Sequence, residues 1–303
     1  MPPRAVGLRG KMKTRILRLM FALPLLLHTY ALTPARQTPA AGAKPQARVI
    51  VFAVSKYESG VTAEPVVIYS GGAYTVPPID DDAGTGAFAR EYFRPGRKYR
   101  IISGGGEAGS LTVNKHLEQG CVGIVAEATA ETPARLGGRV MALATDSPSF
   151  GRGPVSRRAP TEAERARAVE LARASYAKNG VAASLVAKME VVNLTATDLD
   201  RDGRFELVGS FLVEKKDAAP MAYTLFLIME PAGDAFKTAW EWFHKGYEEG
   251  YEDRHFVDQL DFDGDGVGEV VALGTYYESN DYVIYKRQQG RWRPVYKGGG
   301  GGC

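Results

Sequence analysis

Histidine and cysteine are scarce in this chain, with four and two in 303 residues. His28 lies in an apolar leader, which leaves His116, His244 and His255 for any chemistry. No G-x-S-x-G and no H-E-x-x-H occurs, so the frames of an α/β-hydrolase and of a zinc protease are missing. His116, Glu118 and Cys121 lie close together, but the second Cys-x-x-Cys half of a zinc site is absent and the segment reads as a loop. A large excess of one charge is lacking too. The formal net charge is +3, yet residues 1–32 hold six Lys/Arg and no acid, and subtracting those leaves −3. A mildly acidic body has no basic face for nucleic acid. The apolar run Leu19–Leu27 is too short for a comfortable permanent membrane span.

That run does fit something else. Lys13, Arg15 and Arg18 precede it and Thr29-Tyr30-Ala31 follow it, which is the layout of a secretory signal peptide over 1–31, with Met12 a candidate start. The expected location is therefore secreted, periplasmic or at the cell surface. In such an oxidising compartment Cys121 and Cys303 could pair, stabilising by roughly 4–5 kcal/mol, with two free thiols as the alternative. Cys303 ends a glycine-rich tail, 299–303, flexible enough to carry it to a partner.

The body reads as mainly β. Residues 32–47 are Pro/Ala-rich and read as a disordered linker. From 48 to 145 the segments RVIVFAV, PVVIYSG, KYRIISG, SLTVNKH, CVGIVAEA and RVMALAT have strand character, forming a β-rich domain of unknown function. Residues 146–160 read as a second linker. One connecting helix is expected over 161–180: Thr161 and Glu164 form a capping box, Gly180 stops the helix, and Ala168, Leu171, Ala172 and Tyr176 make an apolar stripe.

Residues 181–298 contain an internal repeat. Each copy reads strand, acidic loop, strand, then a hairpin turning at Gly233 or Gly290 with tryptophan after it. The loops, DLDRDGRFE at 198–206 and DFDGDGVGE at 261–269, lie 63 residues apart. Carboxylates at positions 1, 3 and 5 turn to one side, glycine at position 6 lets the chain fold back, position 7 offers a carbonyl, and position 9 adds a carboxylate. That set suits a hard cation, calcium before magnesium. The expected ligands are Asp198, Asp200, Asp202, the Arg204 carbonyl and Glu206 in the first loop. In the second they are Asp261, Asp263, Asp265, the Val267 carbonyl and Glu269. Position 12 is Gly209 or Ala272 and the flanks are β-branched and apolar, so these are not EF-hands. The strand–loop–strand setting resembles the calcium loops of FG-GAP/VCBS repeats, the blades of integrin-α-like β-propellers. The Phe-Gly and Gly-Ala-Pro signatures that name the family are absent. The resemblance implies two propeller-blade-like β repeats and two Ca2+ sites.

Weaker signals are read more plainly. Gly104–Gly109 contains G-x-G-x-x-G, but a strand follows it and no helix, so it reads as a glycine-rich hairpin. Asp80-Asp81-Asp82 reads as a solvated turn, Asn193-Leu194-Thr195 as a glycosylation sequon, and the tryptophans and clustered tyrosines mostly as core. The function expected is a non-catalytic binding or adhesion module for an extracellular protein or polysaccharide. The alternatives are a secreted hydrolase, using Glu107 with Asp80 or Asp146, and a purely structural assembly module.

Overall fold

The computed structural model describes residues 48–118, 123–217 and 219–302. The leader at 1–31, the segment 32–47, Cys121 and Cys303 lie outside the described residues. Strands hold 56% of the described residues and helices 14%, so the expected mainly-β class is what forms.

The N-terminal part builds a barrel-like sheet from β1 (Val49–Tyr57), β2 (Gly60–Ser70), β4 (Lys98–Ser103), β5 (Gly106–Glu118), β6 (Ile124–Glu131) and β7 (Ala142–Thr145). Their order is β1-β7-β4-β5-β6-β2, and β2 pairs back onto β1, so the six strands close. Closure leaves these strands no bare edge. A short β3 (Ala73–Thr75) continues from β2. Side chains alternate across a strand. Along β1, Ile50, Phe52 and Val54 join one buried cluster with residues from all six strands, while Val49, Val51 and Ala53 face a second cluster outside.

The barrel contains a helix that strand patterning alone did not foresee. α1 (Asp82–Tyr92) sends Phe88, Ala89 and Tyr92 into the barrel core, and Phe88 meets Phe52 edge-on at 6.4 Å between ring centroids. Asp80, Asp81 and Asp82 are exposed, as a solvated turn would have them, and the turn leads into α1. Asp81 is the N-cap of α1, its Oδ1 accepting the Gly84 N–H at 2.6 Å. A Cβ at Gly84 would lie 2.6 Å from the Pro78 carbonyl oxygen, so the helix needs its weak glycine where the chain enters.

The C-terminal half forms two antiparallel meanders. The first contains β9 (Glu190–Thr197), β10 (Glu206–Lys215), β11 (Met221–Ala232) and β12 (Ala235–Gly246), with a two-residue β8 (Arg157–Arg158) beside β9. The second contains β13 (Glu252–Leu260), β14 (Glu269–Tyr276), β15 (Ser279–Gln288) and β16 (Arg291–Gly302). Two expectations change in consequence. The segment 146–160 supplies β8 to a sheet, and Gly301 and Gly302 of the glycine-rich tail pair with Asn280 and Ser279 at the end of β16.

Two further helices accompany the first meander. α2 (Glu162–Lys178) closes its capping box, Glu164 N donating to Thr161 Oγ1 at 3.2 Å and Thr161 N to Glu164 Oε2 at 2.7 Å. A short α3 (Ala183–Val186) follows, so the described helices number three, not the one connecting helix expected.

The parts stack in layers, each strand serving two of them. On β10, Leu207, Phe211 and Val213 face Ala168, Ala172 and Tyr176 of α2. Val208 faces the other way, with Phe226 and Ile228 of β11, onto Val270 and Ala272 of β14. From β14 and β15, Val271, Tyr282 and Ile284 turn to the barrel's outer face. The order is thus helices, first meander, second meander, barrel. No ring of blades closes among the described residues, because the barrel covers the face of the second meander that a third blade would need. No described helix is long and apolar enough to cross a membrane.

Candidate metal centre

Each acidic stretch is the turn between the first two strands of its meander: loop 1 joins β9 to β10, and loop 2 joins β13 to β14. The two turns share one frame. At position 1, Asp198 Oδ2 accepts from Gly203 N and Asp261 Oδ2 from Gly266 N, both at 3.1 Å. At position 5, Asp202 Oδ1 accepts from Arg204 N at 2.8 Å and Asp265 Oδ1 from Val267 N at 2.9 Å. At position 9, Glu206 Oε2 accepts from Leu199 N at 2.8 Å and Glu269 Oε2 from Phe262 N at 2.9 Å. Positions 4 and 6 have positive φ in both, Arg201 at 59° and Gly203 at 85° against Gly264 at 78° and Gly266 at 90°. Arg201 is a non-glycine residue held in the left-handed region, which favours glycine.

Loop 1 gathers Asp198, Asp200 and Glu206, each offering one oxygen within 4.8 Å of the others. Asp198 is 8% exposed, and its Oδ1 is buried without a hydrogen-bond partner; so is Asp200 Oδ1. Burying a carboxylate oxygen unpaired is costly unless a cation completes it. Burial pushes Glu206 up to about 7, and the Asp200 and Asp198 charges push the same way against the Leu199 N–H. The residues fit a bound divalent cation, which would supply the missing positive charge. Asp202 is not part of this group. Arg204 takes its Oδ2 through Nε at 2.9 Å and Nη2 at 2.8 Å, and these bonds hold Asp202 below the usual carboxylate range. The arginine at position 7 explains that difference from the expected ligand set.

Loop 2 gathers Asp261, Asp263 and Asp265 within the same 4.8 Å, but a cation of the protein's own fills it. The Lys286 ammonium, from β15, donates to Asp263 Oδ1 at 2.9 Å, Asp265 Oδ2 at 2.9 Å and Glu269 Oε1 at 2.6 Å. Three donors meet three carboxylates. Burial works to lower Lys286, but the three carboxylates outweigh it and hold the ammonium well above its ordinary value. Burial also lifts Glu269 to about 7 despite Lys286. Three of the four loop 2 carboxylates expected to hold a metal ion are thus bonded to Lys286. Sequence reading missed Lys286, although the β14–β15 register, with Val270 opposite Tyr285, sets Lys286 beside Glu269.

A cavity of about 430 Å³ lies where loop 2 meets the barrel rim, lined among others by Ser147, Ser149, Phe150, Arg152, Arg201 and Phe262. Two of the three carboxylates weighed for hydrolysis, Glu107 and Asp146, are engaged by arginines. Arg100 Nε donates to Glu107 at 3.0 Å, and Arg97 Nη2 to Asp146 at 3.3 Å. The cavity of about 510 Å³ that Glu107 lines contains neither Asp80 nor Asp146. Gly104 and Gly105 make the β4–β5 turn. Asn193 of the sequon is buried, its Nδ2 donating to the Arg139 carbonyl, so it is no acceptor for a glycan in the folded chain. Trp292, Tyr282 and Tyr285 are core. Comparison with protein-family models, curated proteins and solved structures finds no match to this chain.

Proposed function

We propose that the protein is a secreted, calcium-stabilised β-repeat protein that acts as a non-catalytic binding or adhesion module for an extracellular protein or polysaccharide. The observation that carries the metal reading is loop 1, where Asp198 and Asp200 keep buried oxygens without partners beside Glu206. An all-protein oxygen set of this kind suits calcium better than magnesium, which retains more of its water. The likeness to FG-GAP/VCBS calcium loops belongs to the same proposal, and it is supported by the matched frames of the two turns and their place in two meanders. Export is proposed on the leader at 1–31. The cavity beside loop 2, with Arg152 and Arg201 at its rim, is the surface assigned to the partner.

Calorimetric titration of the purified chain with calcium tests the metal part, heat of binding being expected for the wild type and lost in Asp198→Asn. Glycan and protein arrays probed in calcium test the partner part. A ligand whose binding weakens in Arg152→Glu supports the assignment, and the absence of any ligand across both arrays contradicts it.

A further inference from the structure

The two loops share their backbone frame but not their charge balance, and the difference traces to one strand position. In the first meander Leu207 of β10 stands opposite Met229 of β11, and in the second Val270 of β14 stands opposite Tyr285 of β15. Leu207 and Val270 each follow the position-9 glutamate of their loop, so the residues after Met229 and Tyr285 are counterparts. They are Glu230 and Lys286. Glu230 is turned to other partners, accepting from Trp292 Nε1 at 3.0 Å and pairing with Lys237 at 3.5 Å and Arg287 at 3.4 Å. Lys286 instead enters the loop beside it and bonds three of its carboxylates.

We infer that loop 2 is a lysine-closed copy of loop 1: the Lys286 ammonium stands in the place of the divalent cation, and the chain takes up a single such ion, at loop 1. The inference rests on the calcium reading of loop 1. Its physical ground is competition for the same oxygens. A calcium ion in loop 2 would have to expel an ammonium that is 15% exposed and bonded to Asp263, Asp265 and Glu269. The like charge of the two cations forbids both from sharing the turn. Loop 1 has no such occupant. Arg287 touches it only at Asp200 Oδ2, at 3.3 Å, and leaves Asp198 Oδ1 and Asp200 Oδ1 unpartnered. Loop 2 is thereby independent of calcium, since three of its four acids already bond the chain's own cation.

Equilibrium dialysis of the full chain against calcium counts the bound ions, and acetylation read by mass spectrometry reports whether the Lys286 amine is withdrawn. The expected result is one ion per chain, lost in Asp198→Asn, with Lys286 protected equally in EGTA and in millimolar calcium. Lys286→Met is expected to bind a second ion. Two ions on the wild type, Lys286 becoming reactive as calcium is added, or a Lys286→Met protein that binds no more than the wild type would each overturn the inference. The first two of these leave the loop 1 reading intact. No ion on the wild type with one on Lys286→Met removes the loop 1 reading and keeps the lysine closure. If Lys286→Met fails to fold, the stoichiometry and acetylation pattern of the wild type decide the matter.

Discussion

Asp258 and Arg157 meet at 2.9 Å with side chains 0% and 7% exposed, where three parts of the fold touch. Asp258 Oδ1 also accepts from Gly104 N in the β4–β5 turn, and Arg157 Nη1 donates to the carbonyls of Met141 and Val257. Removing one partner of such a pair leaves the other buried and uncompensated, at a cost of about 3–5 kcal/mol. Asp258→Ala is expected to lose that much in urea denaturation, and a loss under about 1 kcal/mol would show the pair to be incidental. Glu64 makes a second tie between barrel and meander, accepting from Tyr282 Oη at 2.5 Å and Asn280 Nδ2 at 2.9 Å. Burial raises it above its ordinary 4.5 in spite of both bonds. A carboxyl raised by folding favours the native state while protonated. Its contribution is therefore full below pH 4.5 and lost as pH rises through the raised value. Glu64→Gln, which stays neutral, should gain stability over the wild type between pH 4.5 and pH 8, as read by chemical denaturation at both. An unchanged difference would contradict this sign. At this scale the position-1 and position-9 acids of each loop were legible from spacing. Lys286 and the diversion of Asp202 to Arg204 were not, because both depend on which side chain the fold brings alongside.

Among the elements, the contrast between α1 and α2 shows what a sequence pattern carries. α2 announces itself through Thr161, Glu164 and a run of strong helix formers, and it forms as expected. α1 reads D-A-G-T-G-A-F-A-R-E-Y, with two glycines in its first half and too few apolar positions to show a period. Its helicity comes from the Asp81 cap and from burial of Phe88 and Tyr92 in the barrel, a tertiary contribution that propensity does not contain. Asp81→Ala and Thr161→Ala are each expected to cost about 1 kcal/mol in thermal or chemical denaturation. Little change for Asp81→Ala would mean that packing alone holds α1. The tail gives the opposite lesson. A run of glycines has no side chains to signal a strand, yet a Cβ at Gly299 would lie 2.4 Å from the Val66 carbonyl oxygen, so this close approach of β16 to β2 requires glycine.

For the whole molecule, alternation along the strands told which side chains are buried but not which layer buries them. The barrel closes through ladders such as Phe52 to Ala144 and Tyr99 to Leu111, and the first of these spans most of the N-terminal half. Long-range pairing of this kind leaves no local mark. The spacing of the two acidic loops recurs in the sequence, and each loop lies between the first two strands of one of two stacked meanders. That the neighbour of the second is a barrel, joined through Tyr282, Ile284 and Tyr296, follows only from the assembled core. Within this frame, loop 1 is the part whose buried carboxylate oxygens, Asp198 Oδ1 and Asp200 Oδ1, lack partners. An ion that binds only the native state stabilises it by about 2.7 kcal/mol at a hundred times its dissociation constant. The direct measurement is the melting temperature of the chain in EGTA and in millimolar calcium, set beside that of Asp198→Asn. The wild type is expected to melt several degrees higher with calcium and the variant at the same temperature in both. A wild-type melting temperature that calcium does not move, or a rise that persists undiminished in Asp198→Asn, would contradict a cation site at loop 1.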